Sequence, residues 1–247
     1  MKKSILVIWI AILLISFSCE KKPTGPITQK PTFTIYGAVV KDLNLSKDIA
    51  AFTVSRNDTL YNGAAVKAGN KSIPNVGSGV YYKEFSDTTF QARTAYMDSI
   101  VSSLDTVTIT FGFTMPGSFS INPLSSTDSL NRAGHAVTVY WTPSDSSSGY
   151  FISVVKGDSI PGAALYSATL SGTYGTIPRE AFHTSADVLV TGYYWIYLIA
   201  YNRSFVSYSG IPFQLPQGLP ANNITGAKGT LGAGVIARRA VIYVTSL

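Results

Sequence analysis

Hydrophobic and polar positions alternate along most of this chain, and the longest such run covers residues 189–202. Tyr194, Ile196, Leu198 and Ala200 share one face of an extended strand, and Tyr193, Trp195, Tyr197 and Tyr201 share the other. A run apolar on both faces predicts a central sheet strand. The spacing Leu189, Gly192, Tyr194 also fits a tyrosine corner, in which a Tyr at the start of a strand turns its hydroxyl back onto the preceding loop. The four aromatics of the second face must either be covered or form an exposed strip large enough to mark a binding surface.

Shorter runs precede it. Residues 33–40, 51–54, 79–82 and 106–113 read as strands, the last with Val107, Ile109, Phe111 and Phe113 on one face and threonines on the other. Asn57-Asp58, Asn62-Gly63, Gly69-Asn70 and Gly77-Ser-Gly79 supply turns. This spacing predicts an antiparallel sandwich that ends at Met115-Pro-Gly117. Beyond it, residues 137–143, 149–155, 164–170 and 173–177 are further strands, and Pro178-Arg-Glu-Ala-Phe182 suits a single helical turn. Trp141 is expected to anchor the core. At the C-terminus, either residues 235–244 close the second sheet and 203–234 form a long decorated loop, or residues 205–215 close it and the tail adds an edge strand. The first is preferred, because an ordered insertion of that length is usually functional. Gly226, Gly229, Gly232 and Gly234 do not form a phosphate loop, since the Gly-Lys-Ser/Thr ending is missing.

Three landmarks within residues 117–202 resemble the fibronectin type III family. Val137-Thr-Val-Tyr-Trp-Thr-Pro143 looks like its second strand, Gly149-Tyr-Phe-Ile-Ser-Val-Val155 like its third, and the alternation Tyr194, Ile196, Leu198, Ala200, Asn202 like its sixth. The resemblance implies an immunoglobulin-like sandwich and no particular ligand. The expected fold is all-β: a signal segment (1–18), a tether (19–31), an immunoglobulin-like β-sandwich (32–117), and a fibronectin type III-like β-sandwich with an extended C-terminal segment (118–247).

Composition fits this architecture, with 46% hydrophobic and only 13% charged residues. The N-terminus is different. Met1-Lys-Lys-Ser is followed by an apolar run over residues 5–17, then by small residues and the sole cysteine, Cys19. That run is short for a permanent membrane span and reads as a secretory signal. A small residue before Cys19 and a polar, Pro- and Lys-rich stretch after it resemble bacterial lipoproteins. The resemblance implies lipid attachment at Cys19 and partnership with a membrane, with outer-membrane residence favoured by Glu20; ordinary secretion is the alternative. With one cysteine, no internal disulfide is possible.

The formal charge of +6 falls to +4 once Lys2 and Lys3 are set aside, and the remainder is dispersed. Nucleic acid is therefore not an expected partner. His135 and His183 stand alone, with no nucleophile elbow or metal-ligand spacing, so no catalytic residue, metal or cofactor is expected. Asp42-Leu-Asn-Leu-Ser-Lys-Asp48 lacks the Gly and closing Glu of a calcium loop and reads as a solvated strand face or turn. Phe205, Tyr208 and Phe213, set among Ser, Gly and Pro, are the candidate recognition loop. The expected function is non-enzymatic: a lipid-anchored envelope protein that binds a glycan or an envelope protein. The rival reading is an assembly subunit of an envelope complex, with a secreted hydrolase as a distant third.

Overall fold

Each pair of alternating segments that meets across a turn closes a hairpin, and the hairpins stack into an all-β structure. The computed structural model describes residues 31–86, 88–157, 164–203 and 224–246. The first half contributes β1 (Phe33–Asp42), β2 (Lys47–Arg56), β3 (Thr59–Leu60), β4 (Ala64–Ala68), β5 (Lys71–Ile73), β6 (Asn75–Gly77), β7 (Val80–Ser86), β8 (Ala95–Ser102) and β9 (Val107–Thr114). After the one-turn helix α1 (Ser126–Ser129) come β10 (Leu130–Arg132), β11 (Val137–Tyr140), β12 (Gly149–Lys156), β13 (Ala164–Leu170) and β14 (Tyr174–Ile177). The chain ends with β15 (Gly192–Arg203), β16 (Lys228–Ile236) and β17 (Ala240–Thr245). The helical turn expected after Pro178 is a 3-10 turn, Arg179–Phe182.

Two layers stack in each half. In the first, β5-β4-β8-β9 form a four-stranded sheet facing β1, β2 and β7. The threonine-alternating strand β9 sends Ile109, Phe111 and Phe113 inward, and the Phe111 ring lies 6.3 Å from that of Phe52 on β2. In the second half, β11 pairs β14, and Ile121 bridges to Trp141. This small sheet packs on β12 and β15, where Trp141 meets Tyr150 at 5.3 Å and Phe182 meets Tyr194 edge-on at 5.1 Å. The three landmark strands thus take the places that the family resemblance implied, and Trp141 is the expected core anchor.

The tyrosine corner is present: the Tyr194 hydroxyl donates to the Val190 carbonyl at 2.6 Å. Tyr194→Phe removes the donor and leaves a part-buried carbonyl short of a partner. It should cost about 1–2 kcal/mol, measured by denaturant unfolding.

The C-terminal block differs from expectation. The glycine-rich stretch is strand β16 rather than loop, and the closing strand is split in two. Ile199–Arg203 of β15 pairs β16, Gly192–Ile196 pairs β17, and Ala237 at the break donates to the Leu198 carbonyl at 2.9 Å. The other edge of β16 runs parallel to β1 over nine residue pairs, from Thr34↔Lys228 to Asp42↔Ile236. Through β16 the strands on either side of Gly117 join one eleven-stranded sheet, and Thr32–Leu247 clusters as a single compact unit. Glycine suits this position because backbones must approach closely on both sides, and Gly229 adopts φ +117.

The stretch from Asp42 to Asp48 is also different from expectation. Asp48 is fully buried, accepts from Lys41 Nζ at 2.8 Å and takes the Phe90 N–H at 2.7 Å. Asp42 is buried too and accepts the Asn44 and Leu45 amides, tying the β1–β2 turn. Both carboxylates are structural, not solvated.

A third buried carboxylate, Asp98 on β8, accepts the Gly69 amide at 2.9 Å through Oδ1, while Oδ2 has no protein partner among the described residues. Burial pushes its pKa up to about 8, with the Gly69 hydrogen bond opposing in part. The folded state therefore holds this proton more tightly than the unfolded chain. The stabilising contribution is complete below about pH 4 and is lost as pH rises towards about 8. Asp98→Asn should flatten this part of the profile, so the difference in unfolding free energy between wild type and variant should move in favour of the variant across that window.

Candidate functional site

Strand alternation places Tyr193, Trp195, Tyr197 and Tyr201 on the outer face of β15, and the neighbouring strands decide which of them are covered. Tyr197 and Tyr201 are only 6% and 9% exposed. They pack with Ala38 and Val40 of β1, Phe151 and Val155 of β12, Ile199 and Ile236 into a second apolar cluster. Burial raises the pKa of Tyr201 accordingly. Where β1 and β16 give way to β17, the face opens. Tyr193 is 59% exposed and Tyr243, its register partner on β17, is 38% exposed. Their ring centroids lie 4.7 Å apart, the planes tilted by 42°. Val241 and Leu130, both exposed, extend the apolar surface beside Trp195 and Tyr243.

Trp195, half-buried, joins the two regions. Arg239 lies over it, its Cζ 3.5 Å from the ring centroid, and donates from Nη1 to the Tyr197 hydroxyl at 3.3 Å. Arg239 is held there because Asn44 grips the β16–β17 break: its Oδ1 accepts the Arg239 amide at 2.8 Å, and its Nδ2 donates to the Ala237 carbonyl at 3.0 Å. The β1–β2 turn thus orients a cation on the aromatic face. At the other end, the Gly157 amide donates to the Tyr193 carbonyl at 2.7 Å, and Lys156 lies across Gly192, which adopts φ +134. An open cleft of about 630 Å³ results, lined by Lys156, Gly157, Thr191, Gly192, Tyr193 and Trp195. A neighbouring polar hollow of about 420 Å³ lies between Asn44 and the Arg238-Arg239 pair.

The sites expected from sequence fare differently. Cys19 and the loop residues Phe205, Tyr208 and Phe213 lie outside the described residues. The two histidines are held by local partners: His135 Nε2 faces Asp128 Oδ1 at 3.3 Å, and His183 Nδ1 faces the Arg179 carbonyl at 2.8 Å. Among the described residues no group of three or more His, Cys, Asp or Glu is arranged to hold a metal ion. Tyr243, Lys156 and Arg239 were not singled out by the sequence. Tyr243 sits in a short strand whose register with Tyr193 leaves no local signal, and only tertiary contacts bring Lys156 to the cleft and Arg239 onto Trp195.

No protein-family model matches the chain, and no curated protein matches it. Solved structures similar to it include the FN1–FN3 domains of chicken CNTN1, 13% identical over 85% of this chain, with a TM-score of 0.27. The chain covers 62% of that structure's length. The fibronectin(III)-like modules of Clostridium thermocellum CbhA are 13% identical, covering 87% of this chain and 94% of theirs, with a TM-score of 0.25. The central fibronectin-III array of RIM-binding protein is 9% identical, covering 88% of this chain and 69% of its own, with a TM-score of 0.23.

Proposed function

We propose that this chain is a non-enzymatic, lipid-anchored binding protein of the bacterial envelope, and that the Tyr193–Trp195 cleft is its recognition surface for a glycan. The observation that carries the reading is the exposed, closely packed Tyr193–Tyr243 pair beside a half-buried Trp. Flat aromatic faces present large apolar area at low conformational cost and carry a polar rim, which suits the faces and hydroxyls of sugar rings. A contiguous exposed apolar strip on an otherwise ordinary surface marks a binding site more often than chance.

Binding of the mature chain to a glycan array should identify a ligand. Tyr193→Ala should weaken that ligand by about 30-fold, a loss of about 2 kcal/mol, with the fold unchanged by circular dichroism. Undiminished binding would sink the assignment of this cleft. The anchor is tested by intact mass: acylation at Cys19 supports it, and an unmodified Cys19 at the mature N-terminus refutes it.

One observation favours the assembly-subunit reading as an alternative. Among the described residues β13 pairs only β12, and it carries no charge and no proline, so that a register shift beside Leu165 is the one guard this edge shows. A partner strand could extend the sheet there. Cross-linking followed by co-purification distinguishes the two: a stoichiometric protein partner with no glycan signal would support assembly.

A further inference from the structure

We infer that the sugar accepted by the Tyr193–Trp195 cleft is an acidic one, a polysaccharide segment bearing carboxylates, such as a run of uronates. This rests on the glycan reading of the same site and adds the charge of the ligand. Two cations lie near the aromatic row. Lys156 lines the cleft beside Gly192 and Tyr193, and Arg239 stacks on Trp195, the next residue on that face. Register sets Lys156 opposite Tyr194, so its side chain comes in at the Gly192 end of the cleft, whereas Arg239 lies over the ring of Trp195. Among the described residues that line the cleft there is no carboxylate. Neither Lys156 nor Arg239 forms an ion pair among the described residues, although six such pairs occur elsewhere.

Physical chemistry gives these cations a role beyond general attraction. Lys156 is half-buried, so part of its hydration is already lost and a bound anion meets less competition from water. Arg239 is pre-oriented by the Trp195 stack and by Asn44, which lowers the ordering cost of a charge-assisted hydrogen bond. A neutral sugar would use the rings and leave both charges unanswered; a uronate engages the rings with its flat face and the cations with its carboxylate. Single-stranded nucleic acid also combines stacking with charge, but it requires a basic groove that tracks a backbone. Thr32–Leu247 holds fourteen Lys and Arg against twelve Asp and Glu, which leaves no such groove to be expected.

The test is calorimetric titration of the mature chain, at physiological salt, with hexamers of galacturonate, mannuronate, guluronate and glucuronate, each beside its methyl ester. Esterification keeps the ring and removes the charge. At least one acid should bind about ten-fold more tightly than its ester, and Lys156→Gln and Arg239→Gln should each reduce that preference. Lys67→Gln with Lys71→Gln, on the distant β4–β5 hairpin, should leave it unchanged. Equal affinity for acid and ester, with both lost in Tyr193→Ala, would overturn the acidic inference while keeping the glycan reading. No binding to any acid overturns the inference, and a neutral array ligand lost in Tyr193→Ala would then preserve the glycan reading. Acid binding that survives Tyr193→Ala and falls with the β4–β5 lysines would mark diffuse attraction and overturn it too. Equal affinity for oligothymidylate, lost in the same cleft variants, would replace it with a nucleic-acid site.

Discussion

Gly229→Ala should lower the stability of the folded unit by about 3 kcal/mol or more and its Tm by about 6–12 °C. Gly229 sits at the start of β16 with φ +117, which side-chain-bearing residues rarely adopt. A Cβ there would also land on the carbonyl of Ile35, in the core of β1. Backbone cannot move aside as a flexible side chain can, so the parallel β1–β16 ladder would have to open at its first pairs. Gly226, three residues earlier, supplies the control. Its φ is +85, but nothing lies within 4 Å of a Cβ added there. Gly226→Ala should therefore cost only the strain of its backbone, about 1 kcal/mol. Thermal unfolding of the two variants side by side separates close approach from conformational strain. Equal shifts would show that the β1–β16 contact contributes little.

The second large effect is expected at the buried ion pair of the β1–β2 hairpin. Asp48→Ala takes the carboxylate partner from Lys41, which is itself buried, and leaves the Phe90 amide without its acceptor. Removing one member of a buried pair typically costs about 3–5 kcal/mol. The double variant Lys41→Met with Asp48→Leu should recover only the charge-related part of that loss, because two apolar side chains carry no desolvation cost but the Phe90 amide still lacks its acceptor. Denaturant unfolding of the single and double variants tests both statements. A double variant as unstable as the single one would mean that the lost Phe90 hydrogen bond, not the broken charge pair, carries the destabilisation.

These two sites show why parts of the molecule were legible in advance and others were not. Alternation identified β9, β12 and β15 correctly, since a strand buried on one or both faces writes its period into the local sequence. The tyrosine corner was equally plain, because its donor and acceptor lie four residues apart. Asp48 was misread as solvated, because a carboxylate among polar neighbours looks exposed until the facing Lys41 is placed opposite it. Strand β8, with its buried Asp98, escaped notice for the same reason: a charged residue on the inward face breaks the apolar alternation. The candidate site was half visible. Tyr193 and Trp195 stood out in the long aromatic run, but the run offered no sign that Tyr197 and Tyr201 would be covered and the first pair left open.

By itself the sequence determined the strands of the second half, their inward faces and the turn chemistry between them, all of which depend on residues close along the chain. Only the tertiary structure decided the partner of the glycine-rich segment. Pairing between β16 and β1 joins residues from opposite ends of the chain, and backbone hydrogen bonds leave no side-chain pattern to read. That pairing shapes the aromatic face as well: β1 and β16 contribute to the cluster that buries Tyr197 and Tyr201, and their replacement by the short strand β17 leaves Tyr193 and Trp195 beside an open cleft.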